Sequence, residues 1–537
     1  MPTLRLSSFD GIVPRTSPTM LGENQATVAN NVKLYARELR AWRSSLLAET
    51  ASAPTSIYKL YNMAGAHTWL KFANDVDVAL SPINDNGEAR FYYTGDGSPR
   101  KSTYAMVQSG FDYYEIGVPA PVNPPSLTLS VTGTGTQQTR AYLFTNVAQF
   151  GSVYEESAPS PPETITLAPL NSTVTINGLG TAPAGDYNIV AQRIYRSVTG
   201  SSTSSYQFVA EVAVDGSYAD DLTTLELGSV LETLGWREPP DDLEGIVTLA
   251  SGSGVLAGFS GNTVCFSEPF YPHAWPIAYQ IAIPGKIVGL GVFGSSLVVT
   301  TDSYPYIING GTPGSMSVER IPILEPCVSK KSIASDVEGV LYASPNGLIA
   351  IGPNGRGVAT KNLYRREEWT ALAPENMAGA VLDGRYYGIS GGTAIVLDKG
   401  DIPALSTLDV DATVMHVGRL DAKLYFVSSV DGDIYELEGD GTDYLTYEWR
   451  SKRWRLPQGV TFSALRVDAD FAALEDVDAS LEVKLYGDGV LMQTFTPESL
   501  DPIRVLPFRS RELEIEIVGN ITVRELTLAT TVKELRQ

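Results

Sequence analysis

Short apolar runs separated by tight turns recur along most of this chain, a pattern typical of β-strands. Five segments share one form, in which an apolar strand, a tight turn and a second apolar strand follow one another. They are Ser253–Phe266, Gly294–Ile308, Glu338–Ile351, Asp383–Leu397 and Asp421–Leu437. Their starts lie roughly 38–45 residues apart, which is the period of the four-stranded blades of a β-propeller.

The turns inside these segments support hairpins. Gly261-Asn262, Asn346-Gly347 and Asp431-Gly432 contain residues that tolerate the positive φ angles of two-residue turns. An earlier hairpin, Thr68–Leu80 followed by Phe91–Thr94, has the form of another blade. The repeats therefore predict a propeller of about six blades, and the alternative is a series of unrelated β-meanders.

Two proline-rich breaks interrupt the repeats, at Val118–Pro125 and at Trp236–Pro240. The residues between them form alternating strands at the spacing of a β-sandwich. These strands are Arg140–Val147, Ser172–Ile176, Gln192–Val198 and Tyr206–Val214. We expect an immunoglobulin- or fibronectin-like sandwich inserted into the propeller, with prolines that stiffen both connections.

A last β unit begins near Ser451, where Leu481–Tyr486 and Glu512–Val518 alternate apolar and charged residues. The pattern predicts a C-terminal β-sandwich. One short N-terminal helix is predicted at Glu23–Val32, because Ala26, Ala29 and Val32 fall on one helical stripe. The chain is accordingly expected to be all-β, with four regions: an N-terminal segment and first blade at 1–117, the insert at 118–240, the remaining blades at 241–450 and the C-terminal sandwich at 451–537.

Composition narrows the classes of function. The 537 residues include 61 acidic and 39 basic side chains, for a formal net charge of −22. This balance disfavours sequence-independent binding to nucleic-acid phosphates along the whole chain, which requires clustered lysine and arginine. No apolar stretch is long enough for a membrane helix, and Met1–Asp10 lacks the apolar core of a signal peptide. Two cysteines, Cys265 and Cys327, are expected to be buried thiols in a reducing compartment.

The motifs that suggest a cofactor or a metal each lack a feature that the chemistry requires. Gly289–Gly294 matches the glycine pattern of dinucleotide-binding loops, but a strand follows it where the mechanism requires a helix. The three histidines, His67, His273 and His416, lie in separate segments without a second ligand at metal spacing. We expect no cofactor and no metal.

Acidic residues are plentiful without forming a recognisable catalytic set. Asp431–Asp433 and Glu438–Asp443 lack the ligand order of a calcium loop and suit hairpin turns. Pairs such as Glu155-Glu156, Asp220-Asp221 and Glu367-Glu368 raise the possibility of a glycosidase, but adjacent residues on a strand point to opposite faces. We expect the protein not to be an enzyme.

One cationic and aromatic cluster stands out in this acidic chain. It consists of Trp449, Arg450, Lys452, Arg453, Trp454 and Arg455. Alternating cations and rings can stack on nucleic acid, and they are also enriched at protein interfaces. We favour an interface, either between subunits or with an adaptor protein.

Several segments, in one consistent order, resemble the tail nozzle proteins, or tail tubular proteins B, of short-tailed bacteriophages. The resemblance spans nearly the whole chain, although each motif is individually loose. The segments are Phe9–Arg15 (FDGIVPR), Pro18, Leu21, Ala26–Leu34 with Leu39-Arg40, Glu155–Pro159 (EESAP), Arg193–Arg196 (RIYR), Trp236–Pro240 (WREPP), Cys327–Ser332 with Val340–Gly347, Leu363–Trp369 (LYRREEW) with Asp383–Tyr387, and Tyr447–Pro457.

The resemblance implies a structural virion protein of the tail, assembled in the bacterial cytoplasm. It implies a homohexameric ring below the portal and a tail adaptor protein, with a channel that retains and conducts double-stranded genomic DNA and a rim that carries tail fibres or spikes. Neither catalytic residues nor a lipid anchor belongs to that role. The alternative is a tail-associated adhesin that binds or degrades polysaccharide, and an aromatic-lined pocket with convergent carboxylates would favour it.

Overall fold

A computed structural model describes residues 3–83, 86–199, 204–249, 252–353, 355–399 and 404–536. The described chain is almost entirely β. Five strands come from the first 49 residues: β1 (Leu4–Leu6), β2 (Ala26–Asn30), β3 (Val32–Lys33), β4 (Arg40–Ala41) and β5 (Leu46–Glu49).

A two-stranded hairpin and a four-stranded sheet follow. The hairpin is β6 (Ser56–Tyr61) and β7 (His67–Phe72). The sheet is β8 (Asp77–Leu80), β9 (Phe91–Thr94), β10 (Arg100–Ser102) and β11 (Tyr114–Glu115), with helix α1 (Tyr104–Gln108) before its last strand. The hairpin predicted from Thr68 to Thr94 is thus divided between two sheets, because β7 pairs with β6 and β8 pairs with β9.

The next eight strands form the inserted sandwich. They are β12 (Ser126–Val131), β13 (Gln138–Phe150), β14 (Val153–Glu156), β15 (Glu163–Leu167), β16 (Thr173–Asn177), β17 (Ile189–Thr199), β18 (Ser204–Val212) and β19 (Tyr218–Asp220). One sheet has the order β12-β16-β19, and the other has the order β14-β13-β17-β18 with β15 also on β13. Inward-facing Phe144, Ile176 and Ile194 are buried between the two sheets.

Nineteen strands and a short helix then build the rest of the propeller. The first two blades are β20 (Glu244–Thr248), β21 (Leu256–Ser260), β22 (Thr263–Phe266) and β23 (Ile281–Ala282), then β24 (Ile287–Phe293), β25 (Ser296–Thr301), β26 (Tyr306–Asn309) and β27 (Ser317–Arg320). The third blade is β28 (Ala334–Asp336), β29 (Gly339–Ser344), β30 (Gly347–Gly352) and β31 (Gly355–Val358). Helix α2 (Arg366–Thr370) leads to the fourth, which is β32 (Ala378–Leu382), β33 (Arg385–Ser390), β34 (Thr393–Asp398) and β35 (Ala404–Leu408). The last contains β36 (Ala412–Val417), β37 (Leu424–Ser428) and β38 (Ile434–Glu436).

The blades form a ring. Their first strands contact one another in the order β8, β20, β24, β28, β32, β36 and β6. Each of the five predicted repeats is the central hairpin of a blade, so the propeller prediction is confirmed. The described residues form six four-stranded sheets of this ring, with the hairpin β6–β7 between the last and the first. Strand β5 supplies the outer strand of the last blade, which joins the N-terminal region to the end of the propeller.

The C-terminal sandwich contains β39 (Tyr447–Ser451), β40 (Trp454–Val460), β41 (Ala464–Ala469), β42 (Leu481–Gly487), β43 (Val490–Phe495), β44 (Ile503–Arg504), β45 (Ser510–Gly519) and β46 (Val523–Ala529). The predicted sandwich is confirmed, but it also includes N-terminal strands. Strand β1 pairs with β46, and β2 lies between β39 and the blade strand β35. One sheet therefore runs continuously from a propeller blade into the C-terminal sandwich.

The helix predicted at Glu23–Val32 is wrong, since this segment forms β2 and β3. A β-bulge between Ala26 and Val28 shifts the strand by one residue. The bulge brings Ala26 and Ala29 into the same buried core at a spacing of three. Asn31, with a φ of 54°, then breaks the strand before Val32. The spacing of apolar residues that suggested a helix therefore results from a β-bulge and a left-handed residue.

Candidate functional site

The predicted cationic and aromatic cluster lies where the propeller joins the C-terminal sandwich. Trp449 and Trp454 are buried in the sandwich core, so they cannot be the stacking platform or the exposed interface that the sequence suggested. Trp449 packs edge-on against Phe9 with ring centroids 5.0 Å apart. Its indole nitrogen donates a hydrogen bond to the backbone oxygen of Asp10.

The four cations of the cluster are paired within the chain. Arg453 Nε lies 2.9 Å from Glu514, and Arg455 Nε lies 3.2 Å from Glu512. Arg450 lies against Glu514 and over the ring of Tyr486. The side chain of Arg455 is 72% exposed, the highest value among the four cations. Of the predicted interface residues, Arg455 is therefore the one best placed to reach another molecule.

Glu23 fastens the N-terminal segment to this cluster. Its carboxylate accepts hydrogen bonds from Trp454 Nε1 at 2.8 Å and from Lys452 Nζ at 3.1 Å. Desolvation opposes ionisation of Glu23, but the hydrogen bonds from Trp454 and Lys452 outweigh it and lower its pKa. The cluster consequently acts first as an internal joint.

A second part of the same joint lies on the propeller side. Arg15 donates a hydrogen bond from its guanidinium to the backbone oxygen of Lys361 at 2.6 Å. Arg365 in turn donates to the backbone oxygen of Arg15 at 2.8 Å. The backbone of Ile12 pairs with Leu405 in β35. Segments far apart in sequence therefore meet around residues 9–15.

A pocket of about 430 Å³ lies between the inserted sandwich and a propeller loop. Its lining combines aromatic side chains with carboxylates and small polar groups. The lining residues are Tyr154, Glu156, Arg193, Tyr195, Phe208, Glu211, Ser229, Val230, Glu232, Thr233, Trp236, Tyr271 and His273. In the sequence, the aromatic residues of Tyr271–Trp275 mark one side of this pocket, but nothing local connects them to the insert.

An ion-pair network forms one wall of the pocket. Arg193, on β17, lies 2.8 Å from both Glu156 and Glu211. The hydroxyl of Tyr195 donates to Glu156 at 2.6 Å. Desolvation, followed by this hydrogen bond, raises the pKa of Tyr195 well above its usual range. The wall is therefore a fixed, internally satisfied polar surface.

Aromatic rings form the opposite wall. Trp236 lies 4.7 Å from Tyr271 and 5.4 Å from His273 between ring centroids. Burial lowers the pKa of His273, so its ring is neutral at pH 7. The hydroxyl of Thr233 is buried beside these rings and has no hydrogen-bond partner among the described residues.

A buried ion pair supports the pocket from beneath. Lys101, on blade strand β10, binds Glu155 on β14, and both side chains are almost fully buried. Lys101 also donates to the backbone oxygen of Ile116 at 3.0 Å. His273 Nδ1 lies 3.7 Å from Glu155. The pair fixes the insert to the propeller at the base of the pocket.

The axis of the propeller contains a separate cavity of about 510 Å³. First strands from different blades line it, including Tyr58, Val78, Val247 and Val292, together with Arg419. A cavity of this size is in the range of small-molecule pockets. A DNA duplex does not fit through it, so any channel for DNA lies outside the axis of a single propeller.

The described residues also bear on the other kinds of site that the sequence raised, namely metal sites, membrane helices and reactive cysteines. No group of three or more metal-ligating side chains is present among the described residues. The described helices include none that is long and apolar enough to cross a membrane. Burial raises the pKa of both Cys265 and Cys327 to about 11, so these thiols are unreactive at neutral pH.

No family model and no curated protein sequence matches this chain. Solved structures align with it at low similarity. BBS1N, from a complex with ARL6DN, is 13% identical over 51% of this chain and 86% of that chain, with a TM-score of 0.26. BamB from Moraxella catarrhalis is 11% identical over 75% and 99%, with a TM-score of 0.30. PorZ from the type-IX secretion system of Porphyromonas gingivalis is 12% identical over 89% and 82%, with a TM-score of 0.26. Likenesses this weak carry no argument about function.

Proposed function

We propose that this protein is a structural subunit of a short-tailed phage tail, the nozzle, which assembles into a hexameric ring that retains and conducts genomic DNA. The observation that carries the proposal is where the nozzle-like segments lie. Segments that are not adjacent in sequence meet at two joints of the fold. Segments that hold domains together are expected in a ring subunit that must stay rigid under mechanical force.

The first joint unites three of these segments. Phe9–Arg15 contacts Leu363–Trp369 through Arg15 and Arg365. It also contacts Tyr447–Pro457 through the rings of Phe9 and Trp449. This joint connects the propeller with the C-terminal sandwich.

The second joint unites the nozzle-like segments of the insert. Glu156, in the first of them, is bound by Arg193 and Tyr195 of the second. Trp236, from the third, packs with Ala158 of the first and Ala274 of the propeller loop. These contacts connect the inserted sandwich with the propeller.

An exposed apolar patch offers a surface for a second copy of the chain. It lies on β43, the last strand of its sheet, and on the loop after β44. Val490 and Leu506 are each 62% exposed, and Leu491 and Met492 are also exposed beside them. An edge strand with clustered apolar side chains is a typical site of association.

The charge of the chain suits a conduit. At −22 per chain, six copies carry a formal charge of 6 × (−22) = −132. DNA has one phosphate charge per roughly 1.7 Å of duplex, so acidic walls repel it and let it slide. Because the propeller axis is too narrow for a duplex, the channel would be formed between the subunits.

Mass photometry of the purified protein tests the assembly. Six copies of a 57.8 kDa chain give a particle of about 350 kDa. Leu506→Glu places a charge in the apolar patch and should leave single chains. The control is Val477→Glu, since Val477 is 99% exposed outside the patch.

A wild-type protein that stays monomeric or dimeric at micromolar concentration, alone and with a tail adaptor, would contradict the proposal. A ring that tolerates Leu506→Glu would retain the nozzle function but remove the patch as the interface. Arg455→Glu tests the remaining part of the predicted cationic interface in the same assay. Reduced assembly is expected, because Arg455 has the most exposed side chain of the cluster's cations.

A further inference from the structure

We infer that the pocket between the inserted sandwich and the propeller loop is a binding site for a neutral saccharide unit. An aromatic-lined pocket with carboxylates is the feature expected of a saccharide-binding tail protein, and this pocket has such a lining. The inference does not depend on ring assembly, so either can fail without the other. The argument rests on the size, the aromatic lining, the polar groups and the charge of the pocket.

The pocket has the form of a small-molecule site. Its volume of about 430 Å³ lies within the range typical of ligand pockets. It is lined from two separate units, with Tyr154 and Phe208 on the sandwich and Tyr271 on the propeller loop. The Lys101–Glu155 pair beneath it holds these two units in a fixed relation. The site is therefore preformed, which reduces the entropy lost on binding.

The aromatic side chains provide faces for apolar stacking. Tyr154 is 63% exposed and Tyr271 is 40% exposed, so both rings are accessible at the pocket. The C–H face of a sugar ring is apolar while its edge is polar, and tyrosine likewise has an apolar body and a polar tip. A pyranose ring matches this lining better than a purely apolar ligand does.

The unpartnered hydroxyl of Thr233 points to a polar ligand. It is buried, lines the pocket and has no hydrogen-bond partner among the described residues. A buried hydroxyl without a partner is unfavourable. Its oxygen is closed off from solvent, so a ligand hydroxyl would pair with it after a small rotation of the side chain. Glu211 and Glu232 provide acceptors at the same pocket. A ligand with several hydroxyl groups meets both requirements.

The charge of the lining selects against acidic sugars. Glu156, Glu211 and Glu232 are accompanied by one cation, Arg193, and His273 is neutral. A uronate would therefore face a net negative wall. A cationic ligand would have to compete with Arg193 for Glu156 and Glu211, which leaves Glu232 as its principal partner at this pocket. A neutral saccharide remains.

Ligand-observed NMR with the full chain tests the inference. The probes are maltoheptaose and an N-acetylglucosamine tetramer as neutral sugars, a galacturonate trimer as the acidic sugar and trilysine as the cationic peptide. We expect saturable binding of at least one neutral sugar with a dissociation constant of about 1 mM or tighter. The galacturonate trimer and trilysine should not compete for the site.

Two variants separate a binding role from a structural one. Tyr154→Ala removes an exposed ring and should weaken binding about ten-fold. Thr233→Val removes only a hydroxyl that has no hydrogen-bond partner in the described part of the chain. It should leave the melting temperature unchanged or raised while binding weakens about three- to ten-fold. Tyr444→Ala, at another half-exposed tyrosine, is the matched control and should bind normally.

The inference is overturned if neither neutral sugar binds at about 10 mM. It is equally overturned if binding is the same in the wild type, Tyr154→Ala and Thr233→Val. Binding of trilysine in place of the sugars, lost in Tyr154→Ala, would reassign the pocket to a basic peptide.

Discussion

We expect His416 to make the contact between the last blade and the hairpin β6–β7 sensitive to acid. It is half-buried on β36, where its ring lies 4.8 Å from that of Tyr58 and its Nε2 accepts a hydrogen bond from the backbone of Lys59 at 3.2 Å. Desolvation lowers the pKa of His416 to about 4, with an opposing effect of Asp421 and a smaller lowering by Lys59. This contact joins the last blade to the hairpin β6–β7.

The direction and size of the effect follow from proton linkage. The unfolded chain binds a proton at His416 below a pH of about 6.5, while the folded chain does so only near pH 4. The free energy of unfolding therefore falls as the pH drops through this window. The contribution is about 3 kcal/mol over the whole window, and most of it is lost between pH 7.5 and pH 4.5.

Hydrogen exchange followed by mass spectrometry measures this loss locally, at Ser56–Tyr61 and Ala412–Val417. In His416→Gln the amide oxygen can accept the hydrogen bond from Lys59 but does not titrate. After correction for intrinsic rates, protection in the wild type should fall up to about 70-fold more than in the variant. His67→Gln, at an exposed histidine, is the control and should follow the wild type. An equal loss of protection in the wild type and in His416→Gln would refute the reasoning.

Three further outcomes are expected. Lys101→Met leaves the Glu155 carboxylate buried without its lysine partner and should lower the free energy of unfolding by about 3–5 kcal/mol in urea titrations. The double variant Lys101→Met with Glu155→Leu should recover most of this loss, and no recovery would mean that the lysine acts by packing. Gly11→Ala should lower the melting temperature, because the added Cβ would overlap a backbone oxygen of β35. An unchanged melting temperature would show that the backbone at this joint can shift to make room. Cys265 and Cys327 should react with dithionitrobenzoate only after denaturation, since burial raises both thiol pKa values to about 11, and labelling of the native protein at pH 7 would contradict their burial.

The blades were predictable because a hairpin is encoded locally. Asn346-Gly347 and Asp431-Gly432 fix tight turns, and the strands beside them pair with their immediate neighbours in sequence. The N-terminal strands were not predictable in this way. Strand β2 pairs with β39, more than 400 residues later, and its bulge gives it the spacing of a helix. Nothing in the local pattern of Glu23–Val32 specifies such a partner.

The same contrast between local and long-range information applies to the candidate sites. Trp449 and Trp454 stand out in the sequence beside four cations, but strand alternation and the arrival of residues 9–23 bury both rings. The aromatic pocket was missed because its walls come from β14, β17, β18 and two loops that meet only in the folded chain. Sequence reasoning identified residues with suitable chemistry, whereas their exposure depended on long-range pairing.

Averaged electron micrographs of the purified protein test the central proposal most directly. We predict closed rings with sixfold symmetry, in which the bore lies between subunits and not along the propeller axis. Single particles without a closed ring, or a ring whose bore is lined by lysine and arginine, would contradict the account.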